Sequence, residues 1–98
     1  MSYAFIHDVP ANEEMYREIQ ALLPTSTPPG LISHVAIVRE GGLRYVDVWA
    51  TEADWIRFRD ECVGPALGKV RAEHGMTNDK WQATHEVVEV IDVRQSAS

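Results

Sequence analysis

The segment SHVAIVREGGLRYVDVW, residues 33–49, leaves its backbone little choice. Two runs rich in β-branched and aromatic residues flank Gly41-Gly42, the pattern of a β-hairpin. Val35, Ile37, Val46 and Val48 fall in one phase of the alternation, and Ala36, Val38, Tyr45 and Trp49 in the other. Strands apolar on both faces need cover on both sides of their sheet. Two groups that are costly to bury, His34 and Asp47, interrupt this apolar pattern.

The rest of the chain supplies cover for one side only. YAFIHDV (3–9) alternates as a strand and stops at Pro10. Asn12 is a suitable N-cap, and Met15, Ile19, Leu22 and Leu23 follow at helical spacing, so an amphipathic helix is expected over 12–23. PTSTPPG (24–30) is a turn-rich linker, and the hairpin occupies 31–50. Thr51 and Asp54 resemble a capping box with Asp in the Glu position. Trp55, Phe58 and Cys62 then lie along one helical stripe, with a break or kink at Gly64-Pro65. A further helical piece runs to His74 and is capped by Gly75. After a polar connection, THEVVEVIDV (84–93) reads as the last strand and RQSAS as a frayed tail.

The order βαββαβ is that of a ferredoxin-like α+β sandwich with an antiparallel sheet, a single domain over 1–98. Two helices cover one sheet face. The economical cover for the other is a second copy of the chain, so a homodimer closing a dimeric α/β barrel is expected. The net charge of -6 repels phosphate backbones and anionic lipid, so neither nucleic acid nor a membrane is expected as a partner. Apolar runs are strand-sized, the N-terminus lacks a signal-peptide pattern, and Cys62 is the single cysteine, which together suggest a cytoplasmic protein.

A two-residue Gly41-Gly42 loop of type I′ pairs Val38 with Tyr45, Ala36 with Asp47 and His34 with Trp49. His34, Tyr45, Asp47 and Trp49 then share a face, with His34 and Asp47 as diagonal neighbours about 7–8 Å apart at the backbone. A carboxylate beside an imidazole in a half-dry pocket is a general base: Asp47 orients the ring and His34 takes a proton from an acidic phenol or enol. The alternative is a polar pair in which the two groups merely satisfy each other. His7, in phase with Tyr3 and Phe5, is a candidate to face the same pocket, or a partly exposed strand residue. Trp49, Trp55 and Phe58 either line a cavity for a flat organic molecule together with Tyr45, or pack as ordinary core. His74 suits a helix C-terminus, His85 suits the surface, and Trp81 is a candidate for the dimer interface. No metal-ligand spacing and no phosphate loop occurs, so no metal or cofactor is expected. Cys62 reads as helix packing.

GLISHVA, GGLRYVDVWATEADWIRFRDECVGPAL and the element order together resemble the dimeric α+β barrel superfamily, in particular its antibiotic-biosynthesis-monooxygenase-like branch. The local pattern covers about a third of the chain and the topology all of it. The resemblance implies a small homodimeric barrel. Its relatives include cofactor-free monooxygenases acting on polycyclic aromatics, haem-degrading enzymes and polyketide cyclases. Haem-degrading relatives use a histidine near the position of His74, an asparagine on the first strand and a tryptophan within the second helix. Here the first strand carries His7 and Trp55 stands at the helix start, so haem is not the expected ligand. Three readings remain: a cofactor-independent monooxygenase on an aromatic or polyketide-like molecule, a cyclase or lyase using the same base, and a non-catalytic ligand-binding dimer.

Overall fold

The computed structural model describes residues 2–94. Its elements are β1 (Tyr3–Val9), α1 (Glu13–Leu22), β2 (Leu31–Arg39), β3 (Gly42–Trp49), α2 (Glu52–Phe58), a π turn (Arg59–Val63), α3 (Gly64–Glu73) and β4 (Thr84–Val88). The four strands form one antiparallel sheet in the order β2-β3-β1-β4. Both crossovers put their helices on one face, giving the ferredoxin-like α+β arrangement expected from the element order.

Helix ends follow the local chemistry. The Asn12 side chain accepts the Met15 amide at 2.8 Å, and Thr51 Oγ1 accepts the Asp54 amide at 3.1 Å. The Asp54 carboxylate does not complete a capping box through the Thr51 amide; it accepts the Thr51 hydroxyl instead, at 2.8 Å. At Gly64-Pro65 the helix neither breaks nor ends. One π turn inserts an extra residue, the Gly64 amide reaches back to the Arg59 carbonyl, and Pro65 falls in the first turn of α3, where a missing N–H costs little.

Three expectations are corrected here. The hairpin loop is Glu40-Gly41 rather than Gly41-Gly42, because Arg39 pairs with Gly42 and Val38 with Leu43. It is not a type I′ turn either: positive φ is confined to Gly41 (83°), whereas type I′ needs it at both central residues. Close approach explains the slip. A Cβ on Gly42 would lie 2.0 Å from the Val9 carbonyl oxygen, so glycine is needed inside β3 where β1 ends. Finally, β4 spans Thr84–Val88 and not 84–93. Ala4 already pairs with Val88 near the start of β1, so later residues have almost no partner strand left.

Under the helices, Val9 and Leu43 of the sheet pack with Met15 and Ile19 of α1 and Ala66 and Val70 of α3, all buried. This aliphatic cluster sits at one end of the helix–sheet layer. The opposite sheet face carries Val35 and Ile37, 48% and 43% exposed, and nothing among the described residues covers them. Among the described residues, no helix is long and apolar enough to cross a membrane.

The Gly42 contact gives a direct test. Gly42→Ala should destabilise the fold by about 2 kcal/mol or more, since the added methyl meets backbone rather than a movable side chain. Urea unfolding should show this as a lower midpoint with an unchanged slope, alongside a fall in Tm on the order of 10 °C.

Candidate functional site

Alternation along the strands places Phe5 and His7 of β1, His34 of β2, and Tyr45, Asp47 and Trp49 of β3 on the helix-covered face. The shifted register makes His34 and Asp47 direct cross-strand partners instead of diagonal neighbours. A shift of two residues preserves the side-chain phase, so the shared face expected from the alternation survives the correction.

Asp47 is 5% exposed and is the one buried charged residue among those described. Each carboxylate oxygen has a donor: His34 Nδ1–H at 2.6 Å to Oδ1, and Trp49 Nε1–H at 3.1 Å to Oδ2. These charge-assisted bonds offset the desolvation of the carboxylate. Because a carboxylate only accepts, the proton of a neutral His34 ring sits on Nδ1 and leaves Nε2 as an acceptor. Nε2 meets the Tyr16 hydroxyl at 2.9 Å, the two rings lying within 2° of parallel. Burial, with a smaller contribution from the Asp47 charge, raises the Tyr16 pKa and keeps the phenol protonated. Tyr45 packs against both Tyr16 and His34 at 5.6 and 5.7 Å, and burial pushes its pKa up to about 12.

The space above this chain of hydrogen bonds is a cavity of about 610 Å³ between sheet and helices. Phe5, Trp49, Trp55 and Phe58 form its aromatic wall, with centroid distances of 4.8 Å for Phe5–Trp55 and 5.6 Å from Trp49 to each of Trp55 and Phe58. The linker between α1 and β2 contributes Pro24 to Pro28 at the rim, and the π turn contributes Arg59 and Val63. Volume, flat walls and a few convergent polar groups suit a multi-ring organic molecule.

All seven residues singled out from sequence, His7, His34, Tyr45, Asp47, Trp49, Trp55 and Phe58, line this one cavity. His85 is exposed, as expected, and also borders the cavity: pairing with His7 across β1 and β4 lays its ring over Phe5 at 4.5 Å. His85 Nδ1 lies 3.3 Å from His7 Nδ1, and its Nε2 lies 3.4 Å from the Tyr3 hydroxyl. His74 is apart from the cavity, paired with Glu18 at 2.9 Å. Trp81 packs on the aliphatic cluster, under the Arg71 guanidinium and at the cavity edge. Cys62 is a free, half-buried thiol. Among the described residues, no group of three or more His, Cys, Asp or Glu side chains is disposed to hold a metal ion.

Sequence reasoning missed Tyr16, Arg59 and the cavity role of the linker. Tyr16 had a legible signal, since it stands three residues before Ile19 and seven before Leu23 on the apolar side of an amphipathic helix. Arg59 had none, because the π turn rotates the helix by an amount that a 3.6-residue period does not anticipate.

No protein-family model matches the sequence, and no curated protein matches it. Among solved structures, the chain is similar to SnoaB, a cofactor-independent oxygenase from Streptomyces nogalater. A mutant form of SnoaB superposes with a TM-score of 0.63 at 13% identity, covering 94% of this chain and 95% of that one. A second SnoaB structure gives 0.59 at 14% identity, covering 98% and 96%. At such identities the likeness is one of fold. The shared fold is the ferredoxin-like α+β arrangement with a four-stranded antiparallel sheet, as expected from the element order.

The histidines of this fold should titrate in opposite directions. For His7, burial and then the neighbouring His85 lower the pKa; for His85, burial and then Arg59 do the same. The hydrogen bond to Glu18 raises that of His74. NMR titration should therefore find His7 and His85 below about 6.5 and His74 above it. Below that pH the unfolded chain binds protons that folded His7 and His85 resist. Their contribution to stability is present above about 6.5 and is lost as pH falls through their folded pKa values, and replacing both by Gln should flatten that loss.

Proposed function

We propose that the chain is a cofactor-independent monooxygenase that acts on a flat aromatic or polyketide-like molecule as a homodimer. The observation that carries this reading is the buried Asp47 carboxylate bonded at 2.6 Å to the more exposed His34 ring, the two facing an aromatic-walled cavity of about 610 Å³. His34 is the base. It removes a proton from an acidic carbon or phenol of the substrate, and Asp47 holds the ring in its working tautomer and stabilises the imidazolium. The substrate keeps the electron pair as a delocalised, electron-rich anion. Dioxygen is the oxidant: one oxygen atom enters the substrate and the other leaves as water. Trp49, Trp55, Phe58 and Tyr45 hold the ring system, while His7 contacts its far end.

A cyclase would share the proton abstraction and differ in needing no oxygen, so oxygen consumption separates the two. With a panel of anthrones and hydroquinones, the wild-type protein should consume oxygen in step with substrate loss. His34→Ala should lower kcat by about 10²–10⁴-fold, the usual contribution of a positioned base. Full turnover by the variant would remove His34 from the mechanism, and substrate conversion without oxygen uptake would favour the cyclase.

The exposed outer face supports the homodimer, since Val35 and Ile37 lie on the side that the helices leave bare. Sedimentation should give twice the 11.0 kDa chain mass. Val35→Glu, which sets like charges against each other across a two-fold axis, should weaken the dimer by more than about tenfold. A wild-type protein that sediments as a monomer would refute the dimer.

A further inference from the structure

Neither nitrogen of His34 is free. Nδ1 is committed to Asp47 at 2.6 Å and Nε2 to the Tyr16 hydroxyl at 2.9 Å. A substrate in the cavity therefore meets the Tyr16 oxygen on the path to the imidazole. From this arrangement we infer that Tyr16 is the group that accepts the substrate proton, and that it relays its own proton to His34. The inference rests on the base reading above and changes which atom the substrate touches.

The step balances without an oxidant or reductant. The substrate C–H bond breaks, its proton goes to the Tyr16 phenolic oxygen, and its electron pair stays on the substrate as the enolate. The phenolic O–H bond breaks in the same event, and that proton goes to His34 Nε2. The resulting imidazolium donates through both nitrogens, to Tyr16 and to Asp47, so no acceptor or donor is stranded. Tyr16 needs no lowered pKa, because it is never released as a phenolate; its protonated resting form is the state a relay requires. Three elements fix the geometry. Tyr16 comes from α1, His34 from β2, and Asp47 and Trp49 from β3, while Asn12 caps the first turn of α1 just before Tyr16. Tyr45, 5.6 Å from Tyr16 and 5.7 Å from His34, flanks the relay, with no hydrogen bond of its own among the described residues.

Release of tritium from the methylene of labelled anthrone under nitrogen reads this step without any oxygen chemistry. Wild-type protein should accelerate release. Tyr16→Phe should reduce it on the order of 100-fold while retaining anthrone affinity, measured by quenching of tryptophan fluorescence, and Tm. If Tyr16 only holds or obstructs the ring, the same variant frees Nε2 and the rate stays or rises, which overturns the relay. A measurement on unaltered protein gives a second criterion. The phenolic proton exchanges with solvent but the substrate C–H does not, so relayed transfer carries a normal solvent deuterium isotope effect, and direct abstraction by Nε2 carries none. An effect near unity overturns the relay even where Tyr16→Phe fails to fold. Loss of release in His34→Ala with retention in Tyr16→Phe keeps the base reading and discards the relay. Release without oxygen uptake in the aerobic assay discards the oxygenase reading and keeps the relay. No acceleration by wild-type protein discards both.

Discussion

A carboxylate removed from water in the middle of a sheet sets the terms for everything near it. Stripping solvent from an ion costs several kcal/mol even after relaxation, and Asp47 recovers this only through donors of good geometry. Trp49 supplies one from two residues along the same strand, on the same face by the two-residue period. The other has to come from β2, and His34 provides it. This fixes the pairing of β2 with β3. A slip of two residues would leave every apolar side chain on its proper face yet separate His34 from Asp47, exposing a buried ion. Hydrophobic patterning specifies the parity of the register, and the His34–Asp47 hydrogen bond specifies its value.

The glycines act on the same choice from the other end of the hairpin. Gly41 and Gly42 allow a loop at 41–42 or at 40–41, and both loops keep the phase. The contact of Gly42 with the Val9 carbonyl selects the second. A requirement of β1 is therefore transmitted through β3 to the pairing of β2. That is why the site face could be read from alternation alone while the pairing could not: parity is local, but the selecting contact lies between residues 33 positions apart. Tyr16 shows the same division. Its helix and apolar face were legible, whereas its aim at His34 depends on how α1 crosses the sheet. The phase of α3 was hidden for a different reason, since Pro65 is absorbed by a π turn instead of stopping the helix. The surface position of His85 on β4 was legible, but which face its ring lies over was not.

Packing within the helix–sheet layer is uneven. One end is an aliphatic cluster built on Val9, Leu43, Met15 and Val70; the other leaves about 610 Å³ unfilled. Side chains around an open cavity make fewer dispersion contacts than side chains in a close-packed core, which weighs on a chain this short. The π turn adds to that cost, because it breaks the regular helical ladder in order to bring Arg59 and Val63 to the cavity. Destabilising features gathered around one polar chain are what a site looks like when function competes with packing.

The electrostatics of the cavity favour a neutral guest over an anionic one. Asp47 lies in its lining, and burial, with a smaller contribution from that charge, raises the pKa values of the nearby phenols, so Tyr16 and Tyr45 add no second negative charge. His7 and His85 are held toward their neutral forms by burial. Arg59 is the sole Lys or Arg in the lining and is already bonded to Asp60 at 3.0 Å. An anion entering this space would meet a carboxylate with little to offset it. In the proposed reaction, an anion generated inside would arise together with an imidazolium on His34, which neutralises Asp47 at that moment. The charge distribution thus disfavours the ionised substrate on entry and tolerates it once its proton has passed to the protein, the balance needed to ionise a weak carbon acid.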